Sequence, residues 1–331
     1  MLATSHDDDV NAAGARHRPP GVFLRGMAMG AADVVPGVSG GTIAFISNIY
    51  DELLAAINAV NLRAWQVWRQ DGLAALWQHV NATFLLALLA GILTSVFSLA
   101  RFISYALETY PEQVWGFFFG LILASVVHVA RTIPSWRGTT LLALAVGTVV
   151  AYAITVMVPV PVTPSAPVFF FSGMLAICAM ILPGISGSFI LLLLGMYQPV
   201  LAAVKGFQIP LLVVFAAGCG LGLLAFSRVL WWLLHHYRGT TLALLTGFMV
   251  GSLNKIWPWK HTLEYRLDRH GEQVPLIQEN VLPWAYQALS GREPVLLATL
   301  FWLVLGVLMV LGLEFLGRRR VPSPNAANPR A

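Results

Sequence analysis

The sequence contains few charged residues and almost no cysteine. Charged side chains make up 11% of its 331 residues and hydrophobic side chains 57%. Soluble domains carry roughly 25% charged residues, so this composition excludes an ordinary soluble protein. The two cysteines, Cys178 and Cys219, lie in apolar runs without the spacing of metal ligands. No disulfide framework is expected from them.

Long apolar runs occupy most of the chain. Most have about 18 to 23 residues or more, and a helix needs roughly 20 to cross a ~30 Å hydrocarbon layer. We therefore predict an all-α polytopic membrane protein. The formal charge of +5 comes largely from loop and C-terminal arginines, a pattern related to membrane orientation and not to nucleic-acid binding. The runs lie near residues 82–100, 113–130, 139–158, 168–195, 207–234, 240–257 and 294–316.

Two apolar regions are interrupted by proline and glycine. One reads DVVPGVSGGTIAF at 33–45 and the other MILPGISGSFILL at 180–192. Irregular backbone at membrane depth is tolerated only where protein or water surrounds it. Proline disfavours a helical conformation in the preceding residue, and glycine permits a tight reversal. We therefore predict two re-entrant helical hairpins, with turns at Pro36, Gly37, Pro183 and Gly184.

The two interrupted regions belong to an internal repeat. A shift of 147 residues places PGVSGGTI on PGISGSFI and Tyr50 on Tyr197, and a shift of 127 places Arg101 on Arg228. The difference between these shifts indicates one insertion in the first half, near residues 61–80. Its mixture of tryptophan and arginine predicts an amphipathic helix on the membrane surface.

The repeat divides the chain into two homologous halves. The predicted organisation, in order, is a disordered cytoplasmic tail at 1–20, a first repeat at 21–160, a second repeat at 165–317 and a basic cytoplasmic tail at 318–331. The second repeat includes a predicted extracytoplasmic loop at 258–293.

The relative orientation of the halves depends on whether the interrupted segments cross the membrane. If they cross, each half crosses four times and the halves are parallel. If they are re-entrant, each half crosses three times and the halves are inverted. Cytoplasmic loops are enriched in lysine and arginine. With both termini in the cytoplasm, the inverted arrangement puts the basic 60–80 stretch inside and the uncharged 159–167 link outside, so we favour it.

One known family shares these motifs. GMAMGAADVVPGVSGGTIAFISNIYDELL at 26–54 and LPGISGSFILLLLGMY at 182–197 resemble the PopT polyprenyl-phosphate transporters, formerly a bacterial membrane domain of unknown function. The resemblance implies a flippase in the bacterial cytoplasmic membrane, without a cofactor. It would return undecaprenyl phosphate from the outer to the inner leaflet for cell-envelope synthesis. The second copy differs from the first, since Met180 stands where the first has Asp33, and Ser188 replaces Gly41.

Several polar residues are candidates for binding the lipid phosphate. Helix N-termini at the reversals present free N–H groups to an anion, and arginine supplies a planar donor fork for phosphate oxygens. For Arg101 and Arg228, snorkelling to the lipid headgroups is an equal alternative. The candidates are Arg25, Ser39, Gly40, Thr42, Ser186, Gly187, Ser188, Arg101 and Arg228.

Two further residues are candidates for proton coupling or for a counter-ion role. An ionisable group within a membrane segment is costly and indicates function, which applies to Asp33. His128 lies on an apolar segment and titrates near neutral pH when unperturbed. The alternative for His128 is an ordinary packing role.

Two other functions use parts of the same pattern. GVSG and GISG fit the G-x-S-G pattern of rhomboid-like intramembrane serine proteases, with His128 as the base, but a short pattern in a glycine-rich chain is weak evidence. An inorganic-anion transporter would use facing half-helices in the same way. The chain contains no H-E-x-x-H motif, and no metal site is predicted.

Overall fold

The computed structural model describes residues 18–35, 37–159, 162–267 and 273–318. Pro36 and most of the two predicted tails lie outside these ranges. In the first half the helices are α1 (Pro19–Val34), α2 (Gly40–Ile46), α3 (Tyr50–Asn58), α4 (Leu62–His79), α5 (Ala82–Thr109), α6 (Pro111–Thr132) and α7 (Gly138–Val156).

The second half follows the same order without an equivalent of α4, and it adds two strands and one short helix. Its elements are α8 (Ala166–Ile181), α9 (Gly187–Leu193), α10 (Tyr197–Lys205), α11 (Ile209–His236), α12 (Arg238–Ser252), β1 (Lys260–Leu267), β2 (Gln273–Asn280), α13 (Pro283–Ser290) and α14 (Leu296–Arg318). The antiparallel pair β1–β2 lies in the loop at 258–293. It is an exception to the all-helical prediction, because Thr262, Tyr265, Val274 and Ile277 favour extended backbone over helix.

Among the described residues, five helices are long and apolar enough to cross a membrane: α5, α6, α7, α11 and α14. Large apolar side chains on them are exposed, including Phe97, Leu142 and Phe301 at 81%, 65% and 64%. Such surfaces are stable in lipid and would be costly in water. The described part of the chain is therefore mostly helical and has the composition of a polytopic membrane protein.

Each interrupted segment packs beside the long helix that follows it. Gly26 of α1 lies so close to α5 that an added Cβ would be 2.3 Å from the Leu88 carbonyl oxygen, and Gly30 lies beside Ser95. Later residues of α1 contact later residues of α5, so the two helices run parallel. Helix α5 has 28 residues, so the C-terminal end of α1 is level with the middle of α5.

The second half has the same arrangement. An added Cβ on Gly218 of α11 would be 2.0 Å from the Phe170 carbonyl oxygen of α8, and one on Gly222 would be 2.7 Å from that of Met174. Helices α8 and α11 therefore also run parallel. Single residues of similar conformation, Tyr110 at φ −131° and Tyr237 at φ −133°, join the long helices to the next ones.

Helices α6 and α7 of the first half pack against α14 and α12 of the second. Gly120 of α6 contacts the Leu303 carbonyl of α14, and Gly306 contacts that of Phe117. Likewise α7 pairs with α12, where Gly147 and Gly247 lie against each other. Both pairs run parallel, so α6 and α7 each have a parallel partner in the second half.

Candidate functional site where two hairpins meet

Both interrupted segments form helix–turn–helix hairpins. Gly37 and Gly184, which are related by the repeat, both have φ +91°, a conformation that other residues rarely adopt. The returning helices α2 and α9 begin three residues later, as predicted from the sequence, but have only 7 residues each. Helices α9 and α10 meet at an angle of 108°.

Polar side chains of the first hairpin bind the backbone of the second. The Ser39 hydroxyl donates to the carbonyl oxygen of Leu182 at 3.0 Å, and the Tyr50 hydroxyl donates to that of Ile181 at 3.1 Å. The Gly184 amide donates to Thr42 Oγ1 at 2.9 Å. Backbone groups freed by the break at Pro183 thereby obtain partners in a water-poor region. The two turns consequently lie against each other.

The carboxylate of Asp33 lies at the start of α2. Its Oδ1 accepts a hydrogen bond of 2.7 Å from the Gly40 amide, and the Gly41 amide is bound by Ser39 Oγ at 3.1 Å. The first amides of this helix, where we predicted a phosphate, are therefore occupied by the protein itself. Asp33 Oδ2 is buried and has no hydrogen-bond partner among the described residues.

The second hairpin differs, as Met180 in place of Asp33 suggests. No side chain caps α9, and the hydroxyls of Ser186 and Ser188 bond to each other at 2.8 Å. Ser186 also lines a small cavity between the two turns, with Gly37 and Gly184. The cavity has a volume of about 10 Å³, which is room for about one water molecule and too little for a phosphate. The turns are thus closed against each other in this conformation.

The predicted arginines lie in different surroundings. Arg25 is partly buried on α1, about two and a half helical turns before the end of that helix. Arg101 and Arg228 are exposed, and an Arg228 Nη2 donates to the Val60 carbonyl at 3.3 Å. None of the three lines the cavity at the turns. The exposed position of Arg101 and Arg228 agrees with the snorkelling alternative.

His128 has a partner that sequence reasoning missed. Its Nδ1 lies 3.3 Å from an oxygen of Glu314, and both side chains are largely buried, at 15% and 12% exposed. The pair joins α6 to α14 near their C-terminal ends. Pairing explains why a histidine is retained on an apolar helix face, because each polar group satisfies the other.

Sequence reasoning also missed Lys255, which lines the cavity at the turns. It follows α12, and its ammonium lies 4.7 Å from the centre of the Phe189 ring in α9. The chain has three lysines, and Lys255 and Lys260 are two of them. Lys255 lies in the apolar run at 240–257, and Lys260 lies in the loop predicted to be extracytoplasmic, where lysine departs from the usual charge bias. These two positions are the feature of the sequence from which Lys255 and Lys260 could have been identified.

Comparison with known proteins places the hairpins in a family. A family model named VCA0040-like, described as undecaprenyl phosphate translocase-like, matches residues 29–274 and so includes both turns. The chain belongs to the VCA0040-like family. The resemblance predicted from the hairpin motifs is therefore confirmed. No solved structure matches this member of the VCA0040-like family.

Two curated relatives agree with the family model. The polyprenyl-phosphate transporter of Vibrio cholerae is 53% identical over 292 residues, covering 88% of this chain and 95% of the relative. That of Staphylococcus aureus is 32% identical over 254 residues, covering 71% and 85%. The similarity to the first relative extends over nearly the whole length of both VCA0040-like chains.

Proposed function

We propose that this protein is a transporter of polyprenyl phosphate that moves undecaprenyl phosphate from the outer to the inner leaflet of the bacterial cytoplasmic membrane. The observation that carries this proposal is the contact between the two turns, made by Thr42 and Gly184. Paired interruptions at corresponding positions of two repeats are typical of transport sites. The names of the two relatives supply the substrate class.

The proposed architecture is a pair of inverted repeats. Helices α6 and α7 are each long enough to cross the membrane and are joined by five residues, 133–137, so they run in opposite directions. Since α12 is parallel to α7, it is antiparallel to α6, its repeat equivalent. By the same reasoning α14 is antiparallel to α7. This is the relationship that inverted halves require, and it favours hairpins that approach the bilayer midplane from opposite sides.

The proposed cycle requires the turns to separate. A cavity of about 10 Å³ holds no phosphate, whereas the hydroxyls of Ser186 and Ser188 bond to each other and can turn toward an anion. The lipid tail stays in the bilayer while the head passes the turns. Asp33 is proposed to take part by gaining and losing a proton, and Arg25 by approaching the phosphate during the cycle.

A protease has less support from the same residues. Ser39 Oγ donates to a backbone carbonyl, and Ser186 Oγ pairs with Ser188. Among the described residues, neither serine is hydrogen-bonded to a histidine, and His128 is paired with Glu314. A serine nucleophile requires a base within hydrogen-bond reach.

Reconstitution tests the proposal. Purified protein is placed in vesicles with radiolabelled undecaprenyl phosphate, and an added phosphatase that cannot cross the bilayer hydrolyses the accessible lipid. In protein-free vesicles the lipid of the inner leaflet should remain protected from the phosphatase. In vesicles with active protein, transport should expose this lipid, so that all of it is hydrolysed. Gly184→Ala should restore protection, because Gly184 has φ +91° and lies against Met249, whereas Gly291→Ala, at φ +70° in open space, should not. Protected lipid in the wild-type vesicles, or uptake of inorganic phosphate instead, would contradict the proposal.

A further inference from the structure

Lys255 and Lys260 form a pair of cations beside the hairpin turns. The two ammonium groups each lie 4.7 Å from the centre of an aromatic ring, Phe189 for Lys255 and Trp115 for Lys260. The Lys260 ammonium also donates a hydrogen bond to the carbonyl of Lys255. Each ammonium therefore lies on a ring face, and that of Lys260 is held at the backbone of Lys255.

A lysine that is partly removed from water is normally accompanied by a negative charge. Neither ammonium forms an ion pair with a carboxylate in the part of the chain that the structure describes. Burial and, second, the charge of Lys255 lower the pKa of Lys260 well below its ordinary value. Two neighbouring cations without a counter-ion destabilise the free protein, and an anion bound between them would offset that cost.

Residues at and around Lys255 line two openings. Lys255 itself lines the cavity at the turns, with Ser186 and Gly184. Its neighbours in sequence contribute to a cleft of about 380 Å³, lined by Phe119, Leu253, Asn254, Trp257, Asn280, Val281 and Leu282. A cleft of this size is within the range of small-molecule sites. Its aromatic and aliphatic walls suit an isoprenoid chain, and two of its lining residues, Asn254 and Trp257, lie within two positions of Lys255 in the sequence.

We propose that Lys255 and Lys260 form a receiving site for a phosphomonoester, which holds the phosphate of a prenyl phosphate before it reaches the hairpin turns. This inference rests on the proposed function for the identity of the lipid. A phosphomonoester carries about −1.5 to −2 charges at neutral pH, which matches two ammonium groups. The first isoprene units lie in the adjoining cleft, and the remainder of the chain stays in the bilayer.

The site is tested by binding, independently of transport. Farnesyl phosphate, farnesol and inorganic phosphate are titrated into the purified protein by calorimetry, for wild type, Lys255→Gln, Lys260→Gln and Lys205→Gln. Lys205 is exposed at the end of α10 and serves as the matched control. Loss of a charged partner at a partly buried site should weaken farnesyl phosphate binding by on the order of tenfold or more in the first two variants. Lys205→Gln should bind as wild type does.

Further arms separate this inference from the proposed function. Lys255→Arg keeps the charge and should retain most of the affinity, which distinguishes a binding role from a folding defect. Affinity for farnesyl phosphate unchanged in both Gln variants and in their double variant would overturn the site. Inorganic phosphate that binds as tightly as farnesyl phosphate, with the same dependence on Lys255, would support the anion site and contradict the proposed lipid substrate.

Discussion

The amide of Gly184 in the second hairpin donates a hydrogen bond to Thr42 Oγ1 in the first, across 2.9 Å and 142 positions of sequence. Thr42 is fully buried, so this bond forms where water cannot replace it. The bond joins the two turns directly, so residues of both halves stabilise the closed conformation. Its removal therefore affects stability as well as transport.

We expect Thr42→Val to destabilise the protein by about 1–3 kcal/mol, because it leaves the buried Gly184 amide without an acceptor. Denaturation followed by intrinsic fluorescence in detergent measures the change. Thr94→Val is the control, since Thr94 is exposed and its hydroxyl bonds to the Ala90 carbonyl of its own helix. Equal stability of the two variants would show that the contact between the turns contributes little.

Close packing of α8 and α11 gives a second prediction. A Cβ on Gly218 would meet the Phe170 carbonyl at 2.0 Å, whereas one on Gly220 would meet nothing within 4 Å. Gly218→Ala should therefore lower the midpoint of thermal denaturation, while Gly220→Ala should leave it unchanged or raise it, because alanine favours helix over glycine by roughly 1 kcal/mol. The two substitutions are chemically identical and lie two residues apart. A decrease of similar size in both would contradict the parallel contact described for these helices.

The inverted architecture predicts opposite locations for two exposed segments. In a background with Cys178→Ala and Cys219→Ala, cysteine is introduced at Gln70 in α4 or at Thr163 in the link between the halves. A membrane-impermeant maleimide added to intact cells or to spheroplasts should label Thr163→Cys, and should label Gln70→Cys only after the membrane is opened. Labelling of both positions from the same side would exclude inverted halves with re-entrant hairpins.

Arg25→Ala should abolish transport in the vesicle assay, whereas Arg63→Ala should retain most of it. Arg25 is partly buried within the hairpin motif, and loss of a phosphate contact at such a site costs several kcal/mol. Arg63 is exposed on α4, where an ionic contact is typically worth ~0–1 kcal/mol. Protein levels in the membrane are compared to verify insertion. Equal transport by the two variants would remove Arg25 from the proposed site.

Asp33→Asn should flatten the dependence of transport on pH while leaving binding of farnesyl phosphate largely intact. The asparagine keeps an oxygen that can accept from the Gly40 amide but cannot exchange a proton. Met180 at the equivalent position of the second hairpin carries no charge, which is why we propose a role for the Asp33 carboxyl group in the cycle and not in folding alone. Transport is measured across a pH series for both proteins. A wild-type profile in the variant would leave Asp33 as a structural cap of α2.

Local sequence properties predicted much of this protein. Hydrophobic length identifies the crossing helices, since about 20 apolar residues are required whatever their neighbours. The turns at Gly37 and Gly184 were also predictable, because proline and glycine act on their own backbone. The β1–β2 hairpin was missed because its segment is short and polar, and its strands are stabilised by each other and not by a periodic apolar pattern.

The site depended on contacts between distant residues. Sequence identified Ser39, Thr42 and Asp33 as polar groups at an interruption, but not that they bind backbone groups at Leu182, Gly184 and Gly40. The sequence predicted phosphate binding at the N-termini of both α2 and α9, whereas the Asp33 carboxylate occupies the N-terminus of α2.

The sequence by itself determined the membrane environment, the duplication and the two breaks, because each follows from composition or from backbone restrictions within a few residues. Tertiary structure decided that α6 and α7 pair with α14 and α12 of the other half, and that Lys255 lies beside the turns. Those outcomes depend on which surfaces fit closely, as where Gly120 lies against the Leu303 carbonyl. Close packing is a property of two surfaces together, and neither segment alone specifies its partner.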